Sequence, residues 1–262
     1  FRNRLENKHT ENPSTYEAIL KYYHHFIALT AESQMEATSA LENALEKEPD
    51  NATVNAMLGD LITSTYQFGY SDSIDLLDRG KKLGRRSIAL DPSCQAGHFL
   101  MGLIHFLEDK KKLCFKEFNK ALELNPNNAH YVAAISLHLA MAGEWERGVT
   151  LMDKACDMNP HYPGWHHLVY FMNFYRQGKY DLALQEANDF NTPDYYVDPL
   201  IRAAVLGQLG EKVDGKRAVE NLLALMPDFL DNGRNRMRRF FFSDEHQDMI
   251  WDGLIKAGLE EI

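Results

Sequence analysis

The chain has 262 residues, of which 45% are hydrophobic and 25% are charged, a composition ordinary for a folded soluble protein. Its net charge of -10 argues against a broad nucleic-acid footprint, because such a surface needs a basic face to neutralise phosphates. The three cysteines, Cys94, Cys114 and Cys156, form neither a complete disulfide framework nor a paired set of zinc ligands, so free thiols in a reducing compartment are expected. No stretch approaches the roughly 18 to 20 apolar residues that span a membrane, so no membrane insertion is expected.

The polar segment 1–13 (FRNRLENKHTENP) opens the chain and is predicted to be a linker. It contains neither an initiator Met nor the pattern of a signal peptide. The expectation is that the chain is a fragment of a longer polypeptide.

A short sequence motif that ends in proline recurs in segments 89–92, 121–126 and 155–160. Its last two prolines, Pro126 and Pro160, are 34 residues apart, with small residues five and twelve positions upstream. This period is typical of the tetratricopeptide (TPR) helix-turn-helix repeat. From about residue 16 to residue 227, the chain therefore resembles the TPR superfamily.

Each predicted unit contains small residues at the positions where its two helices would pack closely. Ahead of Pro126, Gly102 and Ala121 are the small contacts and Phe118 is the aromatic plug between the helices. The second unit is nine residues longer than the period, and the extra residues are placed in segment 66–77 as a longer turn and a longer second helix. The predicted units are 14–49, 50–92, 93–126, 127–160, 161–194 and 195–227, followed by a capping pair, 228–262.

The capping pair is predicted as one helix over 228–240 and another over 243–257, with Ser243 as N-cap and Gly258 as terminator. Its aromatic residues are expected to face inward and its arginines outward. The resemblance thus implies an all-α fold, a right-handed TPR superhelix (α-solenoid) of about seven antiparallel helix pairs.

Two segments are also similar to a bacterial subgroup. They are 159–165 (NPHYPGW) and 253–260 (GLIKAGLE), which look like the C-terminal TPR region of bacterial class III adenylate/guanylate cyclases and winged-helix transcription regulators. This resemblance implies a regulatory or partner-binding arm, with a catalytic or DNA-binding domain upstream.

The first helix of each TPR pair lines a concave groove, whose middle is predicted to be apolar and aromatic with two histidines. The carboxylate clamp of chaperone-binding TPR proteins is not expected, because the groove positions carry no Lys, Arg or Asn. The predicted occupant is an amphipathic helix or extended apolar segment of a partner, an upstream domain or a second copy. The alternative is that tight curvature lets these side chains pack on one another as an inner core. The candidate partner-binding residues are Phe99, Leu103, Phe106, His130, Leu137, Met141, His167, Phe171, Phe174 and Tyr175.

No catalytic, cofactor-binding or metal site is predicted. The chain contains no GxSxG, GxxxxGK[ST], GxGxxG or CxxC motif, and the neighbouring His166 and His167 would point about 100° apart on a helix. A pH-sensing role for His130 and His167 stays open, because imidazole changes charge near neutrality.

The sequence therefore predicts a non-catalytic protein–protein interaction or regulatory domain of a larger bacterial signalling protein. One alternative is a small-molecule or pH sensory module that controls an upstream cyclase or DNA-binding domain. Another is a homodimerisation scaffold. A cytoplasmic location is expected, or a periplasmic one if the domain is attached through a membrane span.

Overall fold

The computed structural model describes residues 13–240 and 244–259, which form fourteen α-helices and no β-strand. The predicted linker, apart from Pro13 in the first helix, lies outside the described residues. A 3-10 turn, Gly164–His166, leads into the ninth helix. The helices are α1 (Pro13–Ala28), α2 (Ala31–Lys47), α3 (Ala52–Gln67), α4 (Asp75–Leu90), α5 (Gln95–Leu107), α6 (Lys111–Leu124), α7 (Ala129–Met141), α8 (Trp145–Met158), α9 (His167–Arg176), α10 (Tyr180–Phe190), α11 (Val197–Leu209), α12 (Lys212–Leu225), α13 (Phe229–Met237) and α14 (Asp244–Lys256).

Helices α1 to α12 form six consecutive hairpins that stack into an all-α solenoid, as predicted. Small residues allow the close packing within a hairpin. A Cβ on Gly102 would lie only 2.3 Å from the ring of Phe118, so the aromatic plug fits because the facing residue has no side chain.

The second unit contains the predicted longer turn. Helix α3 ends at Gln67 and α4 begins at Asp75, so segment 68–74 (the α3–α4 loop) connects them, and α4 is two residues longer than α6, at 16 against 14.

The end of the solenoid is arranged differently from the six hairpins. Helix α14 packs on α11 and touches α12, which is the position that the first helix of a further unit takes. The contact is so close that a Cβ on Gly207 would lie 1.9 Å from the carbonyl oxygen of Gly253. Helix α13 is therefore an extra element between α12 and α14. The predicted N-cap, Ser243, lies outside the described residues.

The prediction that all arginines of the capping pair face outward is wrong for two of them. Arg236 is buried and Arg239 nearly so, whereas Arg238 is exposed and half-exposed Arg234 pairs with Asp248 at 3.0 Å. Arg236 is held by Asp228 and by Asp72 of the second unit, and Arg239 is held by Asp72 and by the carbonyl oxygen of Tyr66, as described below.

Candidate functional site

Helix α13 lies in the concave groove. Its apolar side chains, Phe229 and Met237, are buried and join the main hydrophobic core. Between α13 and the first helices α7, α9 and α11 is a cavity of about 40 Å³, here called the α13 cavity. The groove is thus occupied by a helix of the same chain. The α13 cavity is lined by Met141, Leu168, Phe171, Met172, Tyr196, Val197, Leu200, Ile201, Phe229, Gly233, Arg236, Met237, Phe240 and Ile250.

Charged groups fasten α13 to the α3–α4 loop. The guanidinium of Arg236 donates to both carboxylate oxygens of Asp228, at 2.7 and 2.8 Å, and to Asp72 at 3.3 Å. The loop backbone also approaches this side chain closely, since a Cβ on Gly69 would lie 3.0 Å from Cδ of Arg236. A bidentate arginine pair fixes the orientation as well as the distance.

Arg239 makes the second set of contacts to the loop. It pairs with Asp72, donates to the carbonyl oxygen of Tyr66 at 2.6 Å, and stacks 4.0 Å above the Tyr66 ring. Hydrogen bonds from Arg239 lower the pKa of Asp72, and hydrogen bonds from Arg236 lower that of Asp228. We call this set, Tyr66, Asp72, Asp228, Arg236 and Arg239, the clasp. It joins the second unit to the far end of the chain and closes the superhelix on itself.

A second cavity, of about 60 Å³, lies where the first helices converge and is here called the central cavity. Two of its walls, Phe68 and Phe240, lie next to the clasp, and their rings stack with centroids 6.5 Å apart. The clasp therefore adjoins one wall of this cavity. It is lined by Phe26, Leu29, Asp60, Ser64, Gln67, Phe68, Phe99, Leu103, His130, Ala134, Leu137, His138, Met141, Trp165, Leu168, Phe190, Tyr195 and Phe240.

Asp60 is a buried carboxyl group at the wall of the central cavity. It accepts a hydrogen bond from the Tyr22 hydroxyl at 2.6 Å and a longer one from Ser64 at 3.4 Å. Burial raises the pKa of Asp60 to about 6 despite these two bonds. The Tyr22 oxygen also lies 3.5 Å from Nε2 of His130. Burial lowers the pKa of His130 to about 4.

His138 is held as a neutral ring. Its Nδ1–H donates to the carbonyl oxygen of Ala134 at 2.7 Å, so that Nε2 accepts from the Gln67 amide at 3.1 Å. Burial lowers the pKa of His138 to about 4. These contacts bridge α7 to α3 across the cavity.

Most of the predicted groove residues are buried and pack on one another. Phe106 and Tyr175 line neither cavity: the Phe106 ring lies 5.2 Å from that of His138, and Tyr175 donates to the carbonyl oxygen of Met249 at 3.0 Å. Phe171 and Met141 line the α13 cavity. The predicted residues that line the central cavity are Phe99, Leu103, His130, Leu137 and Met141.

The fifth unit is shifted by one residue relative to the predicted groove register. Gly143 and Gly178, which end the first helices of units four and five with φ of 90° and 69°, are 35 residues apart. His167 therefore pairs with Glu186 at 2.7 Å within its hairpin and does not line the cavities. Phe174 is only partly buried and also lies outside both linings. Trp165 and Leu168 take the cavity positions in this unit.

The thiol of Cys156 and the imidazole of His166 lie close together but do not form an activated nucleophile. Sγ of Cys156 lies 3.6 Å from Nδ1 of His166, but burial raises the pKa of the thiol and lowers that of the imidazole to about 3. Both groups therefore favour their neutral forms at neutral pH. Among the described residues, no group of three or more His, Cys, Asp or Glu side chains is arranged to hold a metal ion. No described helix is long and apolar enough to cross a membrane.

No family model matches the chain. No curated protein matches it either.

Several solved structures resemble this chain in fold. Yeast Tom70 is 16% identical, with a TM-score of 0.52, and the match covers 96% of this chain and 54% of Tom70. A tetratricopeptide repeat protein from Parabacteroides merdae is 15% identical, covering 93% of this chain and all of that one (100%), with a TM-score of 0.49. PilF from Pseudomonas aeruginosa is 14% identical, covering 87% of this chain and 100% of that one, with a TM-score of 0.48. The chain spans about half the length of Tom70, and that likeness supports an all-α solenoid fold.

Proposed function

We propose that this chain is a non-catalytic protein-interaction module in which an amphipathic helix of a partner replaces α13 in the concave groove. The observation that carries the proposal is the placement of α13 itself. A helix-binding groove presents apolar pockets to one face of a helix, and here Phe229 and Met237 already fill such pockets between α7, α9 and α11.

Helix α13 is poorly suited to stand alone, which supports its role as a displaceable occupant. It has nine residues, including Asp231, Asn232, Gly233 and Asn235, all of which have low helix propensity. Isolated helices shorter than about 12 to 15 residues are marginal in water. Contacts with the groove and the clasp therefore hold α13 in place.

The clasp is also weak enough to open. The side chains of Asp72 and Asp228 are about half exposed, at 53% and 46%, so salt and water screen their pairs with Arg236 and Arg239. A partner helix with larger apolar residues than those of α13 could thus compete for the groove.

Three of the candidate partner-binding residues, Phe99, Leu103 and Met141, keep their role in this proposal. Phe99, Leu103 and Met141 are buried in the closed form, so a partner would reach them only after α13 and the clasp have moved. The partner proposed here is an apolar or aromatic segment, as the sequence predicted.

We place the module in a larger bacterial signalling protein, on the basis of the resemblance of segments 159–165 and 253–260 to the TPR regions of cyclases and winged-helix regulators. A cytoplasmic location is proposed because the three cysteines, Cys94, Cys114 and Cys156, are free thiols. Self-association is the competing role, and light scattering of the chain distinguishes it by mass.

The experiment supplies α13 in trans. A fluorescent peptide with the sequence of residues 226–240 is titrated into the wild-type chain and into a variant with a weakened clasp, Arg239→Gln, in which Asp72 stays able to pair with the arginine of the peptide. We expect the variant to bind the peptide at least tenfold more tightly by fluorescence anisotropy, because its own α13 leaves the groove more often.

Arg238→Gln is the matched control, since Arg238 is an exposed arginine next to Arg239 and lies outside the clasp. It should bind the peptide like wild type. A peptide in which the positions of Phe229 and Met237 carry Ser should bind neither chain. Equal peptide affinity for wild type and the clasp variant would contradict the proposal.

A further inference from the structure

The guanidinium of Arg239 lies in a pocket formed by the second unit. Its Nη1 donates to the carbonyl oxygen of Tyr66 at 2.6 Å and to that of Ser71 at 3.4 Å, and its Nη2 donates to the carboxylate of Asp72. The Tyr66 ring forms the floor, with the guanidinium carbon 4.0 Å from its centroid. We call these groups, the ring and carbonyl of Tyr66, the carbonyl of Ser71 and the carboxylate of Asp72, the arginine pocket.

Arg236 is held differently from Arg239. Its bidentate partner, Asp228, lies at the start of α13, so this pair belongs to the helix itself and would leave the groove with it. Its contact with Asp72 is longer, at 3.3 Å. Arg239 is therefore the arginine by which the second unit recognises segment 226–240, which contains α13.

Hydrogen bonds within the α3–α4 loop hold the arginine pocket in shape. The amide of Gly69, where φ is 75°, donates to the carbonyl oxygen of Tyr66 at 3.1 Å. The amide of Ser71 donates to the carbonyl oxygen of Thr65 at 3.2 Å, and the amide of Ser73 donates to Oγ of Ser71 at 3.2 Å. None of these bonds uses a group of segment 226–240. The pocket should thus keep its shape when that segment leaves, which lowers the ordering cost of binding a new occupant.

The chemistry of the arginine pocket selects a guanidinium. The polar groups that meet Arg239 are two carbonyl oxygens and a carboxylate, all of them acceptors, and the face of a tyrosine ring attracts cations. A planar guanidinium stacks on the ring while the donors along its edge reach several acceptors together. The ammonium group of lysine is a point charge and cannot do both. The arrangement therefore favours arginine over lysine.

We propose that the arginine pocket is a specificity site for the partner helix, which displaces α13 by placing an arginine of its own at the position of Arg239. The inference rests on the exchange of helices proposed above and adds the chemistry that selects the partner. The spacing follows from segment 226–240, where Phe229 and Met237 stand ten and two positions before the arginine. Phe240 follows it directly and stacks on Phe68, with ring centroids 6.5 Å apart. The partner is thus an amphipathic helix that ends in an arginine followed by an aromatic residue.

The test compares peptides that differ at the arginine position. The full chain carries Arg239→Gln, so it supplies no guanidinium of its own to the pocket. It is titrated with the fluorescent 226–240 peptide and with peptides carrying Arg239→Lys or Arg239→Gln, followed by anisotropy. The lysine peptide should bind about fivefold more weakly than the arginine peptide, the ratio expected for one net hydrogen bond. The glutamine peptide should lose about tenfold or more, because the charge is lost as well.

A peptide with Arg238→Lys is the matched control. Arg238 is exposed and lies outside the arginine pocket, and arginine and lysine have similar helix propensities. This peptide should bind like the unchanged one.

Variants of the pocket, each combined with Arg239→Gln in the chain, locate the source of the preference. Tyr66→Leu removes the ring face and should reduce the preference for arginine over lysine to about twofold or less. Tyr66→Phe keeps the ring face and the carbonyl, so the full preference should remain. Asp72→Asn removes the negative charge and should weaken the arginine and lysine peptides while leaving the affinity of the glutamine peptide unchanged.

The outcomes separate this inference from the exchange of helices. Equal affinities of the arginine and lysine peptides would overturn the arginine pocket and leave the exchange standing. A preference that stayed unchanged in both Tyr66→Leu and Asp72→Asn would also overturn it, since the arginine would then be recognised elsewhere. Binding of no peptide to the Arg239→Gln chain would overturn both proposals.

Discussion

Asp60 has a carboxyl group in the interior whose hydrogen-bond partners are the hydroxyls of Tyr22 and Ser64. Its folded-state pKa of about 6 lies above the ordinary value of 3.8, so ionisation at neutral pH costs the folded state on the order of 3 kcal/mol. Retaining a costly group suggests a demand other than stability. The carboxyl group lies on the wall of the central cavity.

We expect Asp60→Asn to stabilise the chain at pH 7.5. The amide keeps an oxygen acceptor for the Tyr22 hydroxyl and removes the buried charge. The melting temperature should rise by several degrees, since about 1 kcal/mol corresponds to roughly 2–4 °C for a chain of this size. The measurement is thermal unfolding followed by circular dichroism.

The pH dependence of this gain has a definite sign. Because the folded pKa of Asp60 is raised, its contribution to stability is fully present below about pH 3.8 and is lost as pH rises through about 6. The benefit of Asp60→Asn should therefore shrink as pH falls from 7.5 towards 4. Tyr22→Phe is the control, and it should destabilise wild type more than it destabilises Asp60→Asn. A gain that did not vary with pH would contradict this account.

At the scale of elements, the 34-residue period predicted the hairpins because each hairpin is a local unit with its own small contacts, such as Gly102 against Phe118. The period also placed the insertion of the second unit. It could not predict that the inserted loop binds Arg236 and Arg239, because those pairs join residues more than 160 positions apart, as the Asp72 contacts show.

The place of α13 could not be predicted for a related reason. A short, polar helix after the last regular unit is expected of a capping pair, and only tertiary packing decides which of the two final helices continues the stack. In this chain α14 continues the stack, because Gly207 and Gly253 let it approach α11 closely. The one-residue shift of the fifth unit arose from the irregular entry at Gly164–His166, which the proline spacing does not resolve.

The same glycines give a prediction about α14. In Gly207→Ala the new Cβ would meet the backbone carbonyl of Gly253, which cannot move without displacing α14. We expect a loss of about 1–3 kcal/mol in the free energy of unfolding, as for other overpacked sites. Trp251 on α14 is the reporter in a chain whose Trp145 and Trp165 are replaced by Phe, since it is buried and should become more accessible to a fluorescence quencher.

Gly215→Ala is the matched control on the neighbouring helix α12. Its nearest atom would be the Ala257 side chain at 3.2 Å, a contact that a small adjustment relieves. It should leave quenching of Trp251 close to the wild-type value. If Gly207→Ala also left the quenching of Trp251 unchanged, the docking of α14 on α11 would not depend on this close approach.

At the scale of the whole molecule, packing of the solenoid lowers the pKa of four histidines, which favours their neutral form. Burial lowers the pKa of His25, His130 and His138 to about 4 and that of His166 to about 3. Their neighbours include Asp60 and Tyr22 near His130 and the second imidazole of His167 near His166. None of the four is held by a carboxylate hydrogen bond in the part of the chain that the structure describes, so protonation has no compensating partner.

The closed solenoid should therefore lose stability in mild acid. The unfolded chain takes up protons on these histidines near pH 6.5, whereas the folded chain does so only near pH 4 or below. Between those values the unfolded state holds more protons, and the free energy of unfolding falls as pH is lowered. Asp60 offsets part of this fall, because its folded pKa is shifted in the opposite direction.

We expect the melting temperature to drop by on the order of 10 °C between pH 7.5 and pH 5.5, measured at constant ionic strength. His138→Gln tests the assignment, because the amide oxygen can still accept from Gln67 while one titrating group is lost. Whatever it costs in packing, the slope of melting temperature against pH should become shallower than in wild type. The slope in Asp60→Asn should become steeper, since its offset is gone. Equal slopes in all three chains would mean that the buried imidazoles do not set the acid sensitivity of the closed form.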